Sequence, residues 1–110
     1  MDDPYRRTYY RIRYPFSERP RLIVDNNIYE VIDCGPQGLR YAVRGNPLPP
    51  LGTALTGRIC FRRGAEVTIT GVVVRVNPKE VALYFPSGEI PFSILLAEQR
   101  YLHTHYPMWS

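Results

Sequence analysis

The sequence predicts an all-β domain built on a strongly curved sheet or barrel and closed by one C-terminal helix. Three observations predict it. Eleven Pro and eight Gly punctuate a chain of 110 residues, falling between short apolar runs. Nine Tyr add to the β-forming content. Apolar residues alternate with polar ones at a period of two along most of the chain and take up a helical period only at its end. The length suits one domain and leaves no room for two substantial ones. An apolar content of 45% with 22% charged residues is globular and excludes a disordered tail.

Residues 1–17 are set apart as an arm in which Arg6, Arg7, Arg11 and Arg13 cluster with Tyr5, Tyr9, Tyr10 and Tyr14. Neither period runs through it. An extended or single-turn segment, lying on the barrel by its tyrosines, is therefore expected. The barrel is expected over 18–86. Arg21–Val24 is its first strand, stopped by the turn cluster Asp25, Asn26 and Asn27. Ile28–Asp33 is the second and Leu39–Val43 the third, with Leu39, Tyr41 and Val43 on one face. Between them Cys34–Gly38 reads as a Gly/Pro connection of hairpin length, with Cys34 in the turn. Arg44–Gly52 carries three prolines and reads as a loop.

Leu55–Phe61 alternates Leu55, Gly57, Ile59 and Phe61 against polar neighbours, as a half-buried strand does. Glu66–Val76 is the longest strand. Its apolar phase is Val67 and Ile69 before Gly71, then Val72, Val74 and Val76 after it, so a bulge at Gly71 is expected. After the turn Asn77–Glu80, Val81, Leu83 and Phe85 alternate again. Phe92, Leu95, Leu96, Leu102 and Tyr106 then share one face of a helix over 91–106, with Pro91 in its first turn and Pro107 as its stop.

Several function classes fall away. The longest apolar runs, Val72–Val74 and Ile94–Ala97, are far short of the roughly 20 residues that span a bilayer, so no membrane insertion is expected. The N-terminus lacks an export signal's apolar stretch. Cys34 and Cys60 are accordingly read as reduced thiols, and a cytoplasmic location is expected. Zinc spacings, GxSxG and HExxH are absent, and His103 and His105, two apart at a helix end, make a poor metal pair. No enzyme activity, metal or cofactor is expected. The formal charge of +4 is carried almost wholly by Arg, with Lys79 the single Lys. Arginine's planar fork pairs with phosphate and with guanine edges and stacks on bases, which points to an anionic or nucleotide partner.

Two clusters concentrate that chemistry. Arg7 and Arg11 lie four apart, so one helical turn would put both guanidinia on one side, with Arg6 adjacent. Asp33, Gly35 and Gly38 follow in a tight turn. The Asp carboxylate can accept from guanine N1–H and N2–H, and the glycines let backbone N–H groups approach an anion. Taken singly, each cluster has an ordinary reading too: Asp and Gly fill turns, and Arg pairs decorate surfaces.

Arg7–Arg11 (RTYYR) resembles the RxxxR motif of the PilZ domain family, and Asp33–Gly38 (DCGPQG) resembles its second motif, [D/N]xSxxG. Their order and spacing fit, as does the succession of arm, strands and C-terminal helix. The resemblance implies a six-stranded antiparallel β-barrel that binds the bacterial second messenger cyclic di-GMP. It assigns the ligand to Arg6, Arg7, Arg11, Asp33, Gly35 and Gly38. In the family an Arg before the first motif accompanies a stacked pair of ligands, and Arg6 occupies that place. Gly35 stands where the motif has Ser. That removes one hydroxyl hydrogen bond, worth about 0.5–1.5 kcal/mol, against about 1.5–3 for each Arg contact.

The expected function is a cytoplasmic cyclic di-GMP receptor that signals to an unidentified effector protein by ordering its arm. Two other readings stay open. One is a PilZ-like adaptor that does not bind the nucleotide and acts by protein contacts. The other is a small barrel for single-stranded nucleic acid, in which Arg and Tyr supply charge and stacking. The leading reading involves neither DNA nor RNA.

Overall fold

The computed structural model describes residues 11–109. The first ten residues, with Arg6, Arg7, Tyr5, Tyr9 and Tyr10, and the terminal Ser110 lie outside the described residues. In chain order the elements are β1 (Ile12–Arg13), a 3-10 turn (Phe16–Glu18), β2 (Arg21–Val24), β3 (Asn27–Gly35), β4 (Gly38–Ala42), β5 (Ala54–Cys60), β6 (Glu66–Val76), β7 (Glu80–Tyr84) and α1 (Phe92–His105).

All pairings are antiparallel. The sheet runs β3-β2-β5-β6-β7-β4 and returns to β3 through the β3–β4 pairing, which closes a six-stranded barrel. Closure removes the free edges that invite aggregation. The extra strand β1 lies outside this ring, with Ile12 opposite Cys34 and Arg13 opposite Asp33. The last stretch of β3 is thus flanked by β1 on one side and β4 on the other.

Inward-facing side chains fill the barrel. Leu22, Val31, Leu39, Ile59, Val73, Val81 and Phe85 belong to one buried cluster, together with Leu95 and Leu102 from α1. Burying each such side chain is worth about 1.5–3 kcal/mol.

Three local expectations are corrected. Gly71 is not the site of the bulge, because Leu55 pairs regularly with Gly71 and the inward phase continues through Ile69, Gly71 and Val73. The register shift falls between Val73 and Arg75 against β7, and leaves Val74 49% exposed. Gly71 serves packing instead, since a Cβ there would stand 3.1 Å from the Leu83 side chain. Cys34 is not a turn residue: β3 runs on to Gly35, and only Pro36 and Gln37 connect it to β4. On α1, Phe92 is 60% exposed, and the buried face is Leu95, Glu98 and Leu102.

The helix is anchored at its entry. Ile90 N–H donates to the Pro36 carbonyl and Phe85 N–H to the Gln37 carbonyl, which ties the β3–β4 turn to the chain leading into α1.

Candidate functional site

A bulge in β3 decides where Asp33 points. Val31 pairs with Tyr41 and Asp33 with Arg40, so Ile32 is an extra residue on the β3 side. Without it, Asp33 would share the core face with Val31. With it, Cys34 takes the inward place opposite Leu39, and Asp33 and Arg40 lie together on the outer face.

The Asp33 carboxylate is held from both sides. Arg11 Nη2 donates to Oδ1 at 2.9 Å, across 22 positions of sequence. Arg40 Nε donates to Oδ2 at 2.8 Å, and its Nη2 reaches the same oxygen. Arg40 also donates from Nη1 to Glu80 Oε1 at 2.7 Å. Hydrogen bonding to Asp33, opposed by burial, raises the Arg40 pKa and keeps the guanidinium charged. Only 6% of the Asp33 side chain is exposed, against 31% of Arg11, so any ligand would have to displace an arginine to reach this carboxylate.

The structure therefore brings together Arg11 and Asp33, one from each sequence motif, and places Gly35 and Gly38 opposite each other at the hairpin end, next to them. Gly38 has a packing reason to be glycine: a Cβ would lie 2.7 Å from the Leu83 carbonyl oxygen. Gly35 is extended strand backbone and is not among the left-handed glycines, which are Gly45, Gly52, Gly64 and Gly88. Arg6 and Arg7 lie outside the described residues.

Sequence reasoning missed Arg40 and Glu80. A signal for Arg40 was present: with a two-residue turn at Pro36 and Gln37, Gly35 faces Gly38, and stepping outward sets Asp33 against Arg40. Glu80 follows from the β4–β7 pairing, in which it faces Ala42, and no local pattern announces it.

A second polar cluster ties the arm to α1. Glu98 is 1% exposed in the middle of the helix's apolar face. It accepts a hydrogen bond from Tyr14 Oη at 2.8 Å and one from Arg63 Nε at 3.0 Å. Arg63 Nη1 also donates to Glu18 at 2.8 Å, and Tyr106 Oη donates to the other Glu18 oxygen at 2.7 Å. The Arg63 guanidinium lies over the Tyr101 ring, 3.8 Å from its centroid. Trp109 Nε1 donates to the Arg13 carbonyl at 2.6 Å, while the Arg13 guanidinium sits on the Trp109 ring. Residues that follow Arg11 in the chain are thus fastened to the helix and the segment beyond it.

Burial decides the acid–base character of the neighbouring thiol. It pushes Cys34 up to about 12, so the sulfur is a protonated core group and not a nucleophile. Among the described residues no group of three or more His, Cys, Asp or Glu could hold a metal ion. No helix among them is long and apolar enough to cross a membrane. What the Asp33 surface can do is exchange hydrogen-bond partners. It pairs a carboxylate acceptor with guanidinium donors suited to phosphate or to a purine edge.

The family profile described as PilZ domain matches residues 5–98. Among solved structures, the crystal structure of the Legionella uncharacterized protein Lpg0364 resembles the chain with a TM-score of 0.60 at 17% identity, covering 87% of this chain and 97% of that one. At that identity the likeness concerns the fold. The comparison with curated proteins gives no match.

Proposed function

Since the chain belongs to the PilZ domain family, we propose that it is a cyclic di-GMP receptor that relays ligand binding to a partner protein through its N-terminal arm. One observation carries this reading: the ion pair between Arg11 and Asp33, which joins the two family motifs across the barrel surface. In the proposed exchange, guanine N1–H and N2–H take over the Asp33 carboxylate. Arg11, released from it, turns to the ligand's phosphates with Arg7 and Arg6. Arg40 stays on Asp33 and holds the carboxylate in place. Gly35 and Gly38 let the ligand approach the hairpin backbone. Each Arg11 bond lost and regained is charge-assisted, worth about 1.5–3 kcal/mol, so the exchange is nearly balanced and the net affinity comes from the added phosphate contacts.

The output follows from the arm's connections. Moving Arg11 pulls on the stretch from Ile12 to Tyr14, which meets Glu98 of α1 and Trp109. A partner that reads the helix and the segment after it would sense the exchange. A cytoplasmic location and the absence of enzyme activity belong to the same reading.

The experiment is calorimetry with cyclic di-GMP. Binding at micromolar affinity or tighter, about −8 kcal/mol or better, is expected. Arg11→Ala should lose about tenfold to a hundredfold, and Arg13→Ala much less. Absence of binding at high ligand concentration would overturn the receptor reading.

It would leave the second reading, an adaptor that acts by protein contacts alone. That reading is favoured by the state of the site, in which both Asp33 oxygens are already engaged by arginines and position 35 carries no hydroxyl.

A further inference from the structure

We propose that the barrel carries a second anion site, apart from the motif surface, for a small phosphate-bearing ligand. A cavity of about 240 Å³ opens near the other end of the β3–β4 hairpin. Arg21, Tyr29, Glu30, Arg44, Asn46 and Arg62 are among its lining residues. Arg11, Asp33 and Arg40 do not line it. The cavity exceeds a single phosphate and suits a diphosphate or a small phosphorylated molecule.

Its charge is unbalanced. Three arginines and one carboxylate are among its lining residues, and that carboxylate is already committed. Glu30 Oε1 accepts from Arg44 Nη2 at 2.8 Å and from Arg19 Nη1 at 3.4 Å. Arg62 spends its Nε on the Arg19 carbonyl, at 3.0 Å, and has no acidic partner among the described residues. The Arg21 side chain makes no hydrogen bond or ion pair among the described residues. Beside the cavity, Arg19 Nε is buried with no acceptor. Donors outnumber acceptors at this place, and an oxyanion is the group that restores the balance.

The site is also preset. Arg44 has φ of 49°, a left-handed backbone that residues with a Cβ rarely adopt, and Gly45 follows at 83°. Such a conformation persists where the surroundings over-determine it and gathers at ligand clamps. Here the ion pair to Glu30 and a seat on the Phe16 ring, 4.9 Å from its centroid, hold the Arg44 guanidinium at the cavity.

The test is a titration of the full chain with pyrophosphate at low ionic strength, followed by calorimetry. Saturable one-to-one binding with a dissociation constant below about 1 mM is expected. Arg21→Ala and Arg62→Ala should each weaken it about tenfold. Arg44→Gly should weaken it as much while relieving the left-handed backbone, so a preserved thermal melt separates lost binding from lost fold. Arg75→Ala should leave it unchanged, and saturable binding should persist in Arg11→Ala.

Three results would overturn the proposal: no saturable binding, an Arg75→Ala loss equal to that of Arg21→Ala, or abolition by Arg11→Ala. The second would mark a diffuse charge effect, and the third would move the anion to the motif surface. The proposal does not rest on the cyclic di-GMP reading, and the Arg11 and Arg21 variants tell the failure of one from that of the other.

Discussion

Replacing Tyr14 with Phe deletes one oxygen and leaves the shape of a fully buried ring intact. Tyr14 is 1% exposed, and its hydroxyl donates to Glu98 Oε1 at 2.8 Å. A hydrogen bond to a charged acceptor is worth about 1.5–3 kcal/mol. The upper half of that range applies here. Once the hydroxyl is gone, the remaining donor to that oxygen among the described residues is Arg63 Nη2 at a long 3.4 Å. A domain of this size loses about 4 °C of melting temperature per kcal/mol, so Tyr14→Phe should melt about 9–12 °C below wild type.

Urea unfolding followed by the fluorescence of Trp109, which is hydrogen-bonded to the neighbouring Arg13 carbonyl, measures the change directly. Combining Tyr14→Phe with Glu98→Gln should give a coupling energy of at least about 1 kcal/mol, because the two groups share one bond. A melting temperature within about 2 °C of wild type, or strict additivity of the two substitutions, would refute the claim that this contact fastens the arm to the helix.

Further outcomes can be checked on the same protein. Gly38→Ala should destabilise by about 1–3 kcal/mol in chemical denaturation, since its Cβ would press on the Leu83 carbonyl at 2.7 Å, whereas Gly35→Ser incurs no left-handed backbone strain, its backbone being extended. Glu18 is partly desolvated, which raises its pKa, but hydrogen bonds from Arg63 and Tyr106 lower it further, to a net value below the ordinary 4.5. Its contribution to stability is therefore complete above that pH and lost as pH falls through the lowered value, and Glu18→Gln should flatten the acid limb of a stability–pH curve. With Cys34 fully buried and its thiol at about 12, alkylation of the native protein followed by mass spectrometry should leave Cys34 unlabelled until the chain unfolds.

Much of the architecture could be read from local pattern. The boundaries of the six barrel strands fall within a residue or two of those expected, whereas β1 in the arm carries no strand pattern of its own. The 11-residue β6 was bounded correctly at Glu66 and Val76, and the helix was delimited by Pro91 and Pro107. Where the pattern failed, a neighbour outside the window had decided. Gly71 suggested a bulge because the apolar phase slips by one residue across it, yet it is small to make room for Leu83 from β7. Phe92 matched the helical stripe but lies exposed one turn before the buried face of Leu95, Glu98 and Leu102.

The candidate site divides along the same line. Sequence alone supplies the residues whose chemistry suits an anion or a purine: the arginines of the arm, Asp33, and the glycines of a hairpin whose turn chemistry is local. These are encoded by side-chain type and by spacings of a few residues. Only the tertiary structure decided how they are used. The extra residue Ile32 turns Asp33 outward to Arg40, and the arm's path lays Arg11 over it. Glu98 is the plainest case. On a helical wheel it is an acidic residue interrupting an apolar face, with nothing nearby to neutralise it. Its partners stand 84 and 35 positions away, at Tyr14 and Arg63, and a buried carboxylate is tolerable only because closing the barrel delivers both donors to it.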